Sequence, residues 1–345
     1  MEAFFISSFV TQRMRLILFV ICVGTFLSVS GQKTEFSNNA ASRSYSYHDS
    51  TFILDLTQKL TLKVLLVSRL NEYSITDTSG NISTNFVPNE ALSVGLGFNY
   101  KFIGFSAAFI PIASKSSDDY GKTQRLDLQT HILTRKIGAD LRFSYYKGFY
   151  VNNAYALNPN LVEGQTFKRP DITTTDVSAN LFYVFNSKEF SFRSLFTQNE
   201  WQKKTAGSFY AGSRFSYFSI SGDTILAPLD IYDSISSYQF PTHINAFSLG
   251  VSGGYAYTLV FAKHFFVSGA IAPIFNLVNN SSNSLGNNSP DQIGRIGFTF
   301  RAGTGFNSTR YFGGLTYFLD ETNLDFAYLN HNRQMFRFYF GMRVF

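Results

Sequence analysis

From about Lys59 to its end the chain repeats one pattern: a segment in which apolar and polar positions alternate, then a short cluster of Asn, Ser, Gly or Asp. Period-two alternation puts successive side chains on opposite faces of an extended strand. In Gln334–Phe345 the even positions Phe336, Phe338, Phe340, Met342 and Val344 are apolar, while Arg337, Gly341 and Arg343 share the other face. Ile137–Phe149 repeats this, with Ile137, Ala139, Leu141, Phe143 and Tyr145 set against Gly138, Asp140, Arg142, Ser144 and Gly148. Further segments of the same kind are Leu60–Leu70, Leu92–Tyr100, Phe102–Pro111, Arg125–Thr134, Val177–Asn186, Phe209–Ile220, Phe247–Leu259, Phe265–Ile274, Ile293–Thr304 and Arg310–Asp320, which brings the total to twelve. Segments of roughly ten residues suit strands that cross a bilayer. An open sheet edge would leave backbone groups unpaired in hydrocarbon, so the prediction is an all-β, closed antiparallel barrel of about twelve strands.

The connections alternate in length. Short turns fall near Tyr100 and Lys101, Arg135 and Lys136, Ala262 and Lys263, and Phe306–Ser308, and the long connections are Asn71–Pro88, Val151–Thr173, Ser221–Asn245 and Asn276–Asp291. Outer-membrane barrels keep short turns on the periplasmic side, so both termini are expected there. That arrangement requires an even strand number. Phe190–Phe196 reads as a thirteenth strand, so parity argues that Lys188–Ala206, with Trp201 in it, is instead folded into the barrel or lies beneath it. Gly95 and Gly97, Gly250 and Gly254, and Gly297 and Gly303 fall on the presumed lumen face, where a strand bending around a barrel gains from a missing side chain.

Composition agrees with this picture. Aromatic residues make up 17% of the 345, and charged residues 15%, against roughly 25% charged in a typical soluble domain. The mean hydropathy of −0.02 is what cancelling lipid and lumen faces give. No stretch beyond the N-terminus has the length a membrane helix needs. Leu16–Leu27 is apolar, follows Arg13 and Arg15, and precedes Ser28, Ser30 and Gly31, the pattern of a cleaved secretory signal. The expected organisation is a signal peptide over 1–31, an extension over 32–58 and a barrel over 59–345. The single cysteine, Cys22, lies in the signal, so neither a disulfide nor a thiolate metal site is expected in the mature chain.

Facing rules give candidate sites. Arg125, Asp127, Gln129 and His131 share the lumen face of one strand, and Asp140 and Arg142 that of its hairpin partner. This polar cluster reads either as a path or ligand site, or as an ion-pair network that fills the interior. A basic wall of Lys59, Lys63 and Arg69 lies beside Arg337 and Arg343, with Arg295 and Arg301 nearby. It would favour anionic solutes, unless its members pair with Asp320 or Asp325. His131 could act as a base toward a serine on a neighbouring strand, and His48, Asp49 and Ser50 supply catalytic residue types ahead of the first strand. No metal-ligand spacing and no phosphate loop occurs, so no cofactor or metal is expected. The aromatic and basic mixture is assigned to lipid-facing rows, which sets nucleic acid aside.

Several stretches also carry a resemblance: Gln124-Arg125-Leu126-Asp127-Leu128-Gln129, Arg135-Lys136-Ile137-Gly138-Ala139-Asp140, Tyr145-Tyr146-Lys147-Gly148-Phe149-Tyr150, Gln202-Lys203-Lys204-Thr205-Ala206-Gly207-Ser208 and Leu249-Gly250-Val251-Ser252-Gly253-Gly254-Tyr255-Ala256-Tyr257. In these the chain resembles the outer-membrane barrels grouped as domain of unknown function 4421. The resemblance implies location and fold, and no activity. The terminal Phe345 resembles the aromatic end that the barrel assembly machinery reads. Partners expected are therefore outer-membrane lipid, that machinery during biogenesis, and a small solute. Three functions fit: passage of small polar or anionic solutes, placed first; a structural or binding barrel plugged by its own side chains; and an outer-membrane lipid hydrolase. A water-filled lumen would speak for the first, and closure with Lys188–Ala206 inside for the second.

Overall fold

The structure is a computed structural model that describes residues 48–76, 83–90, 92–113, 115–153, 166–226, 241–282, 292–323 and 329–344. The expected signal peptide over 1–31 with Cys22, most of the extension, Asp325 and Phe345 lie outside the described residues. In chain order the elements are β1 (Ile53–Asp55), β2 (Leu60–Thr76), β3 (Ser83–Val87), β4 (Leu92–Tyr100), β5 (Ile103–Ala113), α1 (Ser117–Tyr120), β6 (Gln124–Leu133), β7 (Ile137–Val151), β8 (Phe167–Val184), α2 (Arg193–Phe196), β9 (Glu200–Gln202), β10 (Ala206–Ser221), β11 (His243–Phe261), β12 (Phe265–Ser282), β13 (Gln292–Asn307), β14 (Tyr311–Asn323) and β15 (Leu329–Val344).

Twelve of these strands form one antiparallel cylinder, β2-β4-β5-β6-β7-β8-β10-β11-β12-β13-β14-β15, closed by β15 on β2 from Val344↔Leu60 to Leu329↔Ile75. They are the twelve predicted segments. β3 is a short branch that pairs with the upper end of β2 and touches β7 at Phe86↔Val151 and Val87↔Tyr150. β1 and β9 form a separate two-stranded sheet.

Alternation becomes geometry here, because directly paired residues point to the same side. Outward positions form an apolar belt: Leu277 is 72% exposed, Phe209 68%, Val251 63% and Ile296 62%. Exposed Tyr100, Phe185, Phe261, Phe265 and Tyr311 edge the belt at the short-turn end, and Tyr217 and Phe247 lie toward the other end, as the aromatic girdles of a membrane barrel do. Water would penalise so large an apolar surface, whereas lipid does not. Among the described residues no helix is long and apolar enough to cross a membrane.

Two short turns need left-handed backbone: Lys101 sits at φ 54°, and Ala262 and Lys263 at φ 46° and 64°, the geometry a two-residue hairpin requires. Several strands run further outward than predicted. β8 starts at Phe167, β12 runs to Ser282 and β15 starts at Leu329. Above the belt their outward residues include Thr173 and Thr175, Asn279, and Asn330 and Asn332, so the outward face turns polar and the period-two contrast weakens. β7 meets β8 there through a bulge at Gly148, whose φ of 92° and a Lys122 carbonyl oxygen 2.3 Å from any added Cβ demand glycine.

Candidate functional site

The lumen is the candidate site, and it is filled in three tiers. At the outer end a group of the inward residues above the belt is apolar, beside the buried Thr84, Arg169 and Thr174. Tyr73, Ile75, Phe86, Phe149, Ile172, Phe218, Ile220 and Ile244 form one buried cluster. Tyr73 lies 5.2 Å from Phe218 and 5.8 Å edge-on from Phe149, with the His331 ring stacked on it at 4.5 Å.

The middle tier is ionic. Asp127 takes Arg69 at 2.8 Å and Arg333 at 3.7 Å. Asp140 takes His131 Nδ1 at 2.6 Å and Arg301 at 2.9 Å. Asp320 receives Arg214 through both terminal nitrogens and stands 3.7 Å from Arg142, which in turn reaches Asp176 at 3.6 Å. Arg337 donates to Gln129 at 2.9 Å. Of the polar cluster expected from sequence, Asp127, Gln129, His131, Asp140 and Arg142 thus fall into neighbouring ion-pair and hydrogen-bond groups, with Asp127 and Asp320 each shared between two arginines. Desolvation offsets most of the attraction in such pairs, whereas removing one partner strands the other.

The inner tier is the segment between β8 and β10. Parity predicted that it is not a strand, and it enters the barrel as a turn, the single-turn helix α2 and β9. Phe190, Phe192, Leu195 and Phe196 are buried against Leu133, Phe182, Val184, Ala256, Phe266 and Ala270 of the wall. Side chains of the wall then hold the plug's backbone. Asn99 donates to the Thr197 carbonyl at 2.7 Å, and Lys63 to the Phe196 carbonyl at 3.4 Å. Arg343 Nε donates to the Gln198 carbonyl at 3.0 Å, and Asn307 Nδ2 to Gln198 Oε1 at 2.9 Å. The plug's own Asn199 returns a bond to the Lys101 carbonyl at 2.7 Å. Glu200, fully buried, joins Arg193 at 2.9 Å, Arg135 at 3.0 Å and the Ser191 hydroxyl at 2.5 Å. β1 pairs with β9 from Ile53↔Gln202 to Asp55↔Glu200 and so ties the residues ahead of the barrel to the plug. Burial works against the charge of Asp55, but bonds from Thr57 and the nearby Arg135 outweigh it and hold the carboxyl below its ordinary range.

Two spaces within the lumen are small, about 40 Å³ beside Asp140 and Asp320 and about 10 Å³ beside Lys63 and Arg337. A larger hollow of about 950 Å³ is lined by the outward-facing Leu181, Leu249, Val251, Phe275, Leu277 and Ile296 and belongs to the lipid side.

The basic wall is dispersed into these tiers. Arg69 and Arg301 are paired with carboxylates, and Lys63 and Arg343 serve the plug. Arg295 and Arg125 line the lumen on β13 and β6. Arg125 bonds Ser93, and Arg295 lines the outward hollow only along its strand, between Gly294 and Ile296. Lys59 precedes β2, half-buried. His131 is bonded to Asp140 and stacks on Phe196 at 6.4 Å, and among the described residues no serine is bonded to it. Asp49 accepts from its neighbour Thr51 at 2.8 Å and donates its amide to the Lys188 carbonyl, so it helps to dock the plug. Residues that sequence reasoning left aside include Arg214, Asp176, Arg333, His331, Glu90 and Glu200.

Glu90 lies on the connection between β3 and β4 and accepts from Asn71 at 2.6 Å. Burial pushes its carboxyl up to about 7, against the pull of Arg69 and Asn71. A carboxyl raised in the folded state favours folding fully below its unfolded value and loses that contribution as pH rises through the folded value. Glu90→Gln is therefore expected to match the parent near pH 4 and to exceed it near pH 8 by on the order of 2 kcal/mol, read from urea unfolding in detergent at both pH values. Equal stabilities at pH 8 would contradict this.

A closed cylinder with an apolar outer belt and a packed interior defines the class: a transmembrane β-barrel with a self-filled lumen. The chain belongs to the family described as domain of unknown function DUF4421, which matches residues 47–343. No curated protein sequence matches it at a significant level. Among solved structures it is similar to the outer membrane protease OmpT of Escherichia coli, at 8% identity over 84% of this chain and 97% of that one, with a TM-score of 0.34. The OmpT outer membrane protein of Vibrio cholerae matches at 11% identity over 83% and 99%, with a TM-score of 0.28. The toluene transporter TodX of P. putida matches at 9% over 83% and 90%, with a TM-score of 0.29. At such scores nothing about proteolysis or transport passes to this chain.

Proposed function

We propose that this protein resides in the outer membrane as a sealed barrel, a structural or binding body that does not pass solutes at rest. The observation that carries the reading is the plug: residues 186–205 occupy the inner part of the lumen, buried among wall side chains and bonded to them through Asn99, Asn307 and Arg343. The apolar outer cluster supports it from the other end, since rings in contact leave no path for hydrated ions. Open passage, the first expectation from sequence, needs a continuous lumen that the three tiers interrupt. The hydrolase reading needs a nucleophile within reach of His131, and among the described residues its polar partner is Asp140. The cleaved signal and the assembly machinery belong to this proposal as the route to the membrane, and lipid against the belt as the standing partner.

A single thiol tests it. Ser194 on α2 is 4% exposed, so in a Cys22→Ser background Ser194→Cys is expected to resist a membrane-impermeant maleimide in the folded barrel, from either face, and to label at once after heat unfolding. Prompt labelling of the folded form would place the segment outside the lumen and end the proposal.

A further inference from the structure

We infer that the junction between plug and wall is a binding site for one small monovalent anion, of chloride size, held by Lys63 and Arg337 together with the hydroxyls of Thr316 and Tyr339. The inference rests on the sealed-barrel reading, because the site owes its dryness to the plug.

The first ground is charge. Lys63 and Arg337 are 7% and 6% exposed, and they line one small space with Phe196, Gln198, Phe318 and Tyr339. Among the described residues neither has a carboxylate within ion-pair distance. Lys63 bonds only the Phe196 carbonyl, at 3.4 Å, and Arg337 bonds Gln129 and, weakly, the Met335 sulfur at 3.6 Å. Two ammonium-type charges taken out of water side by side repel, and an anion between them removes both the repulsion and much of the desolvation cost.

The second ground is the remaining lining, which donates. The Thr316 hydroxyl is buried without a hydrogen-bond partner, as is Nε of Arg337. Tyr339 accepts from Gln198 Nε2 at 3.0 Å, which leaves its own proton to give. The Arg337 guanidinium carbon lies over the Phe318 ring, 5.9 Å from its centroid. No acidic side chain lines the space. The third ground is size. The space is about 10 Å³, the lower limit for one water-sized sphere, so a halide enters only as the Lys63 and Arg337 side chains give way slightly, and sulfate, phosphate and carboxylates do not fit. The wall makes this room deliberately: a Cβ on Gly97 would come within 2.7 Å of the Lys63 side chain.

The test is thermal unfolding of the full barrel in detergent, titrated with sodium chloride or sodium bromide against sodium gluconate at fixed ionic strength. An anion bound only by the folded state raises the midpoint with halide concentration and saturates. Lys63→Met is expected to abolish the halide response whatever its midpoint in gluconate, which also reflects the lost bond to the Phe196 carbonyl. Thr316→Val is expected to weaken the apparent halide affinity several-fold and serves if Lys63→Met does not fold. Equal parent midpoints in chloride and gluconate would overturn the site, as would an undiminished response in both variants. Conductance of the same preparation separates the two readings: a conducting barrel that keeps the halide response would defeat the seal and not the site, and a silent barrel without the response would defeat the site alone.

Discussion

Cutting both seals, and only both, is expected to open this barrel. Replacing Phe190–Asn199 by a short Gly-Ser linker removes the rings that pack on Phe182, Phe266 and Leu133, yet the outer cluster around Tyr73 remains. Phe149→Ala with Phe218→Ala removes two rings that flank Tyr73 at 5.8 and 5.2 Å, yet the plug remains. Each change alone is therefore expected to leave planar bilayers silent, and the combination to give discrete current steps. The ionic tier is not expected to block the combined variant, because freed arginines and aspartates rehydrate and swing aside once water reaches them. Each Phe→Ala costs about 3–5 kcal/mol of packing, so folding must be verified by heat modifiability before the recordings are read. Current from the plug replacement alone would show that the outer cluster does not seal.

Glu200→Ala is expected to be the most damaging single substitution in the plug. Its carboxylate is fully buried and answers Arg193, Arg135 and Ser191 together. Without it two largely buried guanidiniums face each other, and breaking a buried pair from one side costs about 3–5 kcal/mol. Arg135 can fall back on Asp55 at 3.3 Å, whereas Arg193 keeps only the Leu133 carbonyl. Glu200→Gln preserves an acceptor for Ser191 and is expected to cost about 1–2 kcal/mol. The readout is the temperature at which the folded form disappears on unheated gels. A Glu200→Ala barrel as heat-stable as its parent would mean that the plug is not held by this residue.

The barrel was legible because lipid imposes a strict contrast between its two faces, and every strand had to show it across the belt. Arg337 and Arg343 could be placed in the lumen from the alternation of Phe336, Phe338 and Phe340 alone. The same rule failed above the belt. There Asn330 and Asn332 face outward and look no different from His331 and Arg333 facing inward, so the alternation sets the start of β15 at Gln334, short of two lumen residues. Asp176 was lost for the same reason, one residue ahead of the assigned start of its strand. The plug was located by an argument of parity and not by its own pattern, since Phe190, Phe192 and Phe196 imitate a strand. Its partners were beyond reach, because Asn99, Asn307 and Gln198 meet across separations in sequence that no local pattern encodes. The alternation sets the face on which the basic wall lies and leaves open which of its members pair, since the pairing of Arg69 with Asp127 and of Arg301 with Asp140 depends on which strands lie opposite one another across the lumen.

The most direct measurement of the central claim is single-channel recording of the unmodified barrel, refolded, shown to be heat-modifiable and inserted in planar bilayers in chloride salt. A lumen filled by the outer rings, the ionic network and residues 186–205 predicts no current steps under a sustained voltage. Steady steps with anion selectivity, weakened by replacing Arg337 or Arg343, would contradict the seal and return the basic wall to the role of a solute path.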